Sequence, residues 1–385
     1  MGLNRRTAVI GSAILAPIPS AERSLEEVLY EVSQRALKDA GLSMDDIDGI
    51  VVGSNDQFDG RAISIMAASG SVGGVDRDIL STPSAGEHAF VMGVLRVASG
   101  QYETHLIVSW SPLEVSSLSE AQRLGADPYF HRRLPLDEAT AYALQAAALG
   151  AKAPVAHRLA MTIAERSRES GAIAGRDVPA LPEDRSAGAA HWPLRDGMIA
   201  KATSGAVALV IASEDHVREH AVENPAWIRG MGWATEAAFL GDRELSTAPA
   251  LEEAARRAYE EAGVGDPRSA FDLAEITGVT PYQELIAYDA LGLSRRDAWK
   301  QDVESGRFAR TGALPVNPSG GAASLNPVFC TGLVRIAEAA RQIRGTAGKH
   351  QIGSARLALA HAASGVAMMY QTVLVFGNQQ EGGRS

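Results

Sequence analysis

The chain carries one thiol, Cys330, and nine histidines, so nucleophilic and proton-transfer chemistry has few bearers. Cys330 stands just before Thr331-Gly332 at the start of an apolar helical run. A helix N-terminus favours a thiolate there, whereas a packed thiol behaves as a small inert hydrophobe. His361 follows the apolar run Ala358-Leu359-Ala360 and precedes the small residues Ala362 to Gly365; an imidazole is suited to moving a proton near neutral pH. Tyr282 and Asn326 bring hydrogen-bond donors. A phenol can donate to a carbonyl or alkoxide, and an amide to an enolate or thioester oxygen, although an amide cannot shuttle a proton. Gly321 and Gly365 allow backbone N–H groups to approach an anion closely. Each has a structural reading beside the chemical one: asparagine orders loops and caps helices, a tyrosine before a helix packs, and a buried histidine satisfies a hydrogen bond. Glu87 and His88, on the first turn of another helix, read as solvated charges. No Cys/His pair has zinc-ligand spacing, so no metal is expected.

Elements that could position these groups come in two similar sets. A strand over Ala8 to Ala13 precedes a helix that opens at Leu25-Glu26-Glu27 and closes at Ala40-Gly41, followed by the strand Ile47 to Gly53. Far along the chain the order returns as Trp227 to Met231, a helix from Leu251-Glu252-Glu253 to Ala262-Gly263, and the strand Phe271 to Ile276. Both helices have acidic first turns and glycine at the C-cap, as the helix dipole and the left-handed cap conformation favour. Each set continues with a helix and apolar strands: Gly86 to Ser99 with His105 to Ser109, and Thr331 to Arg344 with Arg356 to Ala360 and Thr372 to Phe376. The two helices are rich in alanine, valine and leucine, which predicts burial. Two βαβ-rich halves result, 1–225 and 226–385, in an α/β fold. Residues 112–200 interrupt the first half as a long insertion with helices over Leu134 to Leu149 and Val155 to Glu169, and such insertions usually carry specificity or an interface.

With 46% hydrophobic and 21% charged residues the 385-residue chain is of globular composition, and a net charge of -10 argues against nucleic acid as a partner. Arg5-Arg6 and the apolar run to Ala16 resemble a short signal peptide, but Pro17 and Pro19 follow directly and the run reads as the first strand. No stretch reaches the ~20 apolar residues of a membrane span, and the cytoplasm is the expected location.

Asn317-Pro318-Ser319-Gly320-Gly321, followed by Asn326-Pro327 and Thr331-Gly332, resembles the thiolase superfamily, whose members carry an Asn-x-x-Gly-Gly segment before a Gly-His-Pro loop and a helix beginning near Thr-Gly. Glu284 to Leu293 and Ala358 to His361 are similar to the sterol-carrier-protein type thiolases and bacterial lipid-transfer-like relatives. The resemblance implies a thiolase fold of five α/β layers, with one buried helix from each half between two sheets. Its glycine spacing, matched by Gly86 and Gly100, puts the nucleophilic cysteine's place on Pro83, which has neither a nucleophile nor an N–H. A shift of one offers Ser84, unreactive without a positioned base. The family's second motif falls on Thr277-Gly278-Val279-Thr280, without imidazole or thiol, and Asn326 replaces the histidine of the Gly-His-Pro loop.

The resemblance therefore implies His361, Asn326 and Tyr282 as catalytic residues and Ser84, Thr277, Gly321, Cys330 and Gly365 around the substrate, with a coenzyme A thioester as substrate and no cofactor. Three functions follow: aldol-type carbon–carbon cleavage or formation on a hydroxyacyl-CoA without an acyl-enzyme; a non-catalytic subunit of a heteromeric thiolase-like complex; or a conventional thiolase or acyltransferase using Cys330. The relatives further imply a homodimer paired through the strand near His105 to Ser111, and a small zinc-ribbon/OB-fold protein or a catalytic thiolase subunit as partner.

Overall fold

The structure, a computed structural model, describes residues 5–18, 23–59, 63–111, 117–134, 136–179, 181, 191–195 and 197–379. Parts of the expected insertion, 112–116, 135, 180, 182–190 and 196, lie outside the described residues. The first half runs β1 (Thr7–Leu15), α1 (Leu25–Ala40), β2 (Gly49–Gly53), α2 (Ser64–Ser71), β3 (Asp78–Thr82), α3 (Gly86–Ala98), β4 (Thr104–Trp110), α4 (Glu138–Lys152), α5 (Ala156–Ile173) and β5 (Ala206–Ser213). The second runs β6 (Ala226–Thr235), α6 (Pro249–Ala262), β7 (Leu273–Ile276), α7 (Pro281–Ala290), α8 (Thr331–Arg344), β8 (Leu357–Ser364) and β9 (Tyr370–Gly377).

Local signals set the helix ends. Ser24 and Glu27 form a reciprocal capping box at the start of α1, and Gly41 and Gly263 end α1 and α6 in the left-handed conformation expected of them.

One nine-stranded sheet has the order β3-β2-β4-β5-β1-β6-β9-β8-β7. Read outward from the β1/β6 junction, the halves repeat: β1-β5-β4-β2-β3 on one side, β6-β9-β8-β7 on the other, with a bridge from Ala274 to Val316 in the place corresponding to β3. The junction is slight, only Ala8 with Trp227 and Val9 with Ala226. The two sheet halves that enclose the central layer are joined at this short antiparallel ladder. A register shift follows it in both strands, between Val9 and Gly11 and between Ile228 and Gly230, and bulges of this kind increase local twist and turn strands out of a common plane.

Strand alternation sorts the core into layers. In β4 and β5, Leu106, Val108, Ala208 and Val210 pack with α1, while Ile107, Leu209 and Ile211 face a central cluster. In β8 and β9, Ala358, Ala360, Leu374 and Phe376 face that same cluster, while Leu359, Val373 and Val375 face α6 and α7. Phe90 and Val94 of α3 and Leu333, Ile336 and Ala337 of α8 fill the centre. The layers are helix, strand, paired helices, strand, helix, with α3 and α8 buried as the sequence predicts.

One expectation fails here. The strand proposed as the pairing edge of a dimer, near His105 to Ser111, is β4, and it is bonded on both sides, to β2 in parallel and to β5 antiparallel. Its apolar residues mark a central strand covered on both faces; the free edge of this half is β3.

Candidate active site

A cavity opens where the C-terminal ends of β7 and β8 meet the N-termini of α3 and α8, a position at which α/β folds commonly bind ligands. From the helix side it is lined by Ala85 and Glu87 of the α3 start and by Thr331 and Gly332 of the α8 start. Thr277, Asn326 and the turn Ala363-Ser364-Gly365 close it from the strand side, and Glu138 and Tyr142 of α4 cover it. Two helix N-termini thus converge on one space, and each favours negative charge. Glycine 86 ties the two starts together, its N–H donating to the Phe329 carbonyl at 2.7 Å.

Glu87 is the residue that sequence reasoning misplaced. Instead of a solvated first-turn charge, it is 1% exposed, and neither carboxylate oxygen has a hydrogen-bond partner among the described residues. Room for it comes from Gly332: a Cβ there would lie 2.6 Å from Glu87 Oε2. Nothing in the sequence around Glu87, on the first turn of α3, marks it as buried; only α8 packing against α3 turns its side chain inward. Glu138 is the second carboxylate of the cavity. Burial raises its pKa, opposed by the hydrogen bond it accepts from Tyr142 OH at 2.9 Å.

Of the residues singled out from sequence, the cavity brings together Thr277, Asn326 and Gly365. Thr277 Oγ1 and Ser364 Oγ are buried without partners among the described residues. Asn326 Nδ2 donates to the Ala200 carbonyl at 3.2 Å, and its Oδ1 accepts from Thr331 Oγ1 at 2.6 Å, so the amide holds the loop and the first residue of α8.

The others lie elsewhere. His361 is fully buried but does not line the cavity. Alternation along β8 turns it to the face of Leu359, away from α8; its Nε2 meets Gln371 Oε1 at 2.8 Å, and burial pushes its pKa down to about 4, with the Gln371 bond opposing. Tyr282 sits in the outer core, its hydroxyl 2.6 Å from His157 Nδ1 and its pKa pushed up to about 12 by burial. Gly321 belongs to a separate small cleft beside Glu284 and Asn317. Cys330 is fully buried, its Sγ 3.9 Å from the Gly205 carbonyl, and burial followed by the charge of Glu87 pushes the thiol far above its ordinary range. Ser84 does have a histidine at hand, His88 Nδ1 at 2.6 Å, but the half-exposed pair stands outside the lining. Pro83 is exposed; the residue that faces the cavity at the α3 start is Ala85.

Residues 232–378 match the family model described as thiolase C-terminal domain-like. Sterol carrier protein 2 of Rattus norvegicus is 33% identical over 165 residues, which span 41% of this chain and 30% of the rat protein. An acetyl-CoA acetyltransferase of Methanothermobacter thermautotrophicus is 31% identical over 173 residues, 44% of each chain. Residues 232–378 of this chain are thus those of a thiolase-like C-terminal domain. Across its length the thiolase fold is matched by the solved Ltp2-ChsH2(DUF35) aldolase, with a TM-score of 0.77 at 19% identity over 99% of this chain and 100% of that one. The sequence matches cover less than half of either curated relative, so they show kinship in one region of each protein. Among the described residues no group of His, Cys, Asp and Glu could hold a metal ion, and no helix is long and apolar enough to cross a membrane.

Proposed function

We propose that this chain binds a coenzyme A thioester with its acyl end in the cavity between α3 and α8, and that it breaks or forms a carbon–carbon bond by aldol chemistry without an acyl-enzyme. The observation that carries the reading is the absence of a thiol among the lining residues. Ala85 stands at the α3 start, and the chain's sole thiol, Cys330, is buried outside the lining and held protonated. Aldol cleavage needs a base for a hydroxyl and donors for an enolate, not a thiol. The hydroxyls of Thr277 and Ser364 are unspent donors, and the converging helix ends stabilise an oxyanion without any side chain. A solved neighbour named as an aldolase agrees with this reading. That neighbour's name also pairs two components, which supports a heteromeric assembly here; a small zinc-ribbon/OB-fold protein is the partner class that the family resemblance suggests.

Incubation of the purified chain with a set of 3-hydroxyacyl-CoA thioesters, followed by mass spectrometry, tests the reading. The expected result is a carbonyl product, a shortened acyl-CoA and protein of unchanged mass. An acyl adduct on Cys330 would restore a conventional thiolase. Activity that appears only after adding a second polypeptide with its own nucleophile would make this chain a non-catalytic subunit.

A further inference from the structure

We infer that Glu87 is the proton-transfer residue of this cavity, taking the proton from the substrate hydroxyl and returning it to the α-carbon. The inference rests on the aldol reading above and assigns to it a group that neither the family resemblance nor the candidate residues from sequence supplied.

Three observations support it. Glu87 is 1% exposed and lines the cavity, yet both of its oxygens lack partners among the described residues. A carboxylate serving only as a cap for α8 would accept from the first N–H groups of that helix, and none of these reaches it. Second, Gly332 leaves the space its head group occupies, since a Cβ at that position would stand 2.6 Å from Oε2 and 2.7 Å from the Ala362 Cβ. Third, the cavity holds two carboxyl groups in different surroundings. Glu138 is raised by burial and receives the Tyr142 hydroxyl, whereas Glu87 lies where the positive ends of α3 and α8 meet. Of the two, Glu87 is the one without a hydrogen-bond partner among the described residues, and so the one free to take a substrate proton.

The step balances on one residue. The Glu87 carboxylate accepts the proton of the β-hydroxyl as the O–H electron pair becomes the carbonyl π bond. The Cα–Cβ bond breaks, and its pair passes onto the thioester as an enolate, whose oxygen receives the hydroxyls of Thr277 or Ser364. Protonated Glu87 then delivers the same proton to Cα, giving one carbonyl compound and one shortened acyl thioester and regenerating the carboxylate. No oxidant, water or further reactant enters.

The test compares the wild type with Glu87→Gln and Glu87→Asp in two assays: cleavage of a 3-hydroxyacyl-CoA, and exchange of the α-protons of propionyl-CoA for deuterium, followed by NMR. Glu87→Gln keeps the shape and removes the base, so both rates should fall by about a hundredfold or more, the usual contribution of general acid–base catalysis. Binding of propionyl-CoA by calorimetry should be retained, and the melting temperature should hold, because an amide of the same shape replaces a buried carboxyl group that already lacks partners. Glu87→Asp should recover part of both rates, and it carries the comparison if the glutamine variant does not fold. Wild-type rates in Glu87→Gln would overturn the assignment and leave the aldol reading intact. A wild type that exchanges α-protons but cleaves no hydroxyacyl-CoA would sink the aldol reading while Glu87 is still judged by its variants. A wild type that does neither overturns both.

Discussion

Cys330 lies against the apolar side chains of the central layer, with burial and the neighbouring charge of Glu87 both opposing its ionisation. Only thiolates react with alkylating agents at useful rates. Native protein should therefore label with iodoacetamide far more slowly than urea-unfolded protein, without loss of activity when it does; rapid native labelling, timed by mass spectrometry, would contradict the packing described. His361 yields a prediction of the opposite kind. Its folded pKa of about 4 lies below the ordinary 6.5, so between those values the unfolded chain binds the extra proton. Stability is fully present above pH 6.5 and is lost as pH falls toward 4, by up to about 3 kcal/mol at roughly 1.4 kcal/mol per pH unit. Urea titrations at pH 7 and pH 4.5 should show a smaller drop for His361→Asn than for wild type, and equal drops would remove the group from the acid response. The two residues also mark what one sequence can tell about a site. Thr277, Asn326 and Gly365 were reachable from motif order, and all three line the cavity. His361 sits on a strand, where parity decides the face, and the alternation of Ala358, Ala360 and Ala362 toward α8 already turned it away. Glu87 offered no such clue, because a glutamate on a first helical turn is solvated unless another helix covers it.

At the scale of elements, the ends of helices do most of the positioning. Ser24 accepts from the Glu27 N–H at 3.2 Å while the Glu27 carboxylate accepts from the Ser24 N–H at 3.0 Å. Ser24→Ala should lower stability by about 1 kcal/mol, the usual loss of an N-cap, with activity unchanged, as thermal melting and the cleavage assay would show. The start of α8 is less forgiving. Gly332→Ala forces a methyl against Glu87 and Ala362, and overpacking of this kind costs about 1–3 kcal/mol. A lower melting temperature with diminished acyl-CoA binding is the expected pair of results; an unaffected variant would mean that the starts of α3 and α8 are looser than described. Helices and strands with strong periodicity were legible, since α1, α3, α6 and α8 each lie within a few residues of the reading from sequence. β5 was not, although Ala206 to Ser213 is a continuous apolar run. Sandwiched between β4 and β1 with both faces covered, it has no alternation to announce it. β3 escaped notice for the converse reason, a short edge strand of half-exposed residues.

The whole molecule depends on both halves at once. Strands β1 and β6 join the halves through two ladder pairs, whereas the central cluster mixes Val9, Ile107 and Leu209 of the first half with Leu333, Leu374 and Phe376 of the second. A fragment covering 226–379 alone would expose the inner face of α8, so it should aggregate or remain without fixed tertiary structure; a soluble fragment with a cooperative melt and native near-ultraviolet circular dichroism would refute this. The doubled topology was readable from the matching helices and their glycine caps, but the single continuous sheet was not, because the β1/β6 ladder depends on paired irregularities at Ile10 and Arg229 that leave no mark in composition. The doubling has one more consequence. Because α3 and α8 are the same element in two copies related about the β1/β6 junction, their like-signed ends meet at one point, and the field there comes from main-chain dipoles that any sequence adopting the fold inherits. Side chains around that point can be exchanged in descent without erasing its affinity for negative charge, so a lineage can discard one chemistry and take up another in a place already prepared for it.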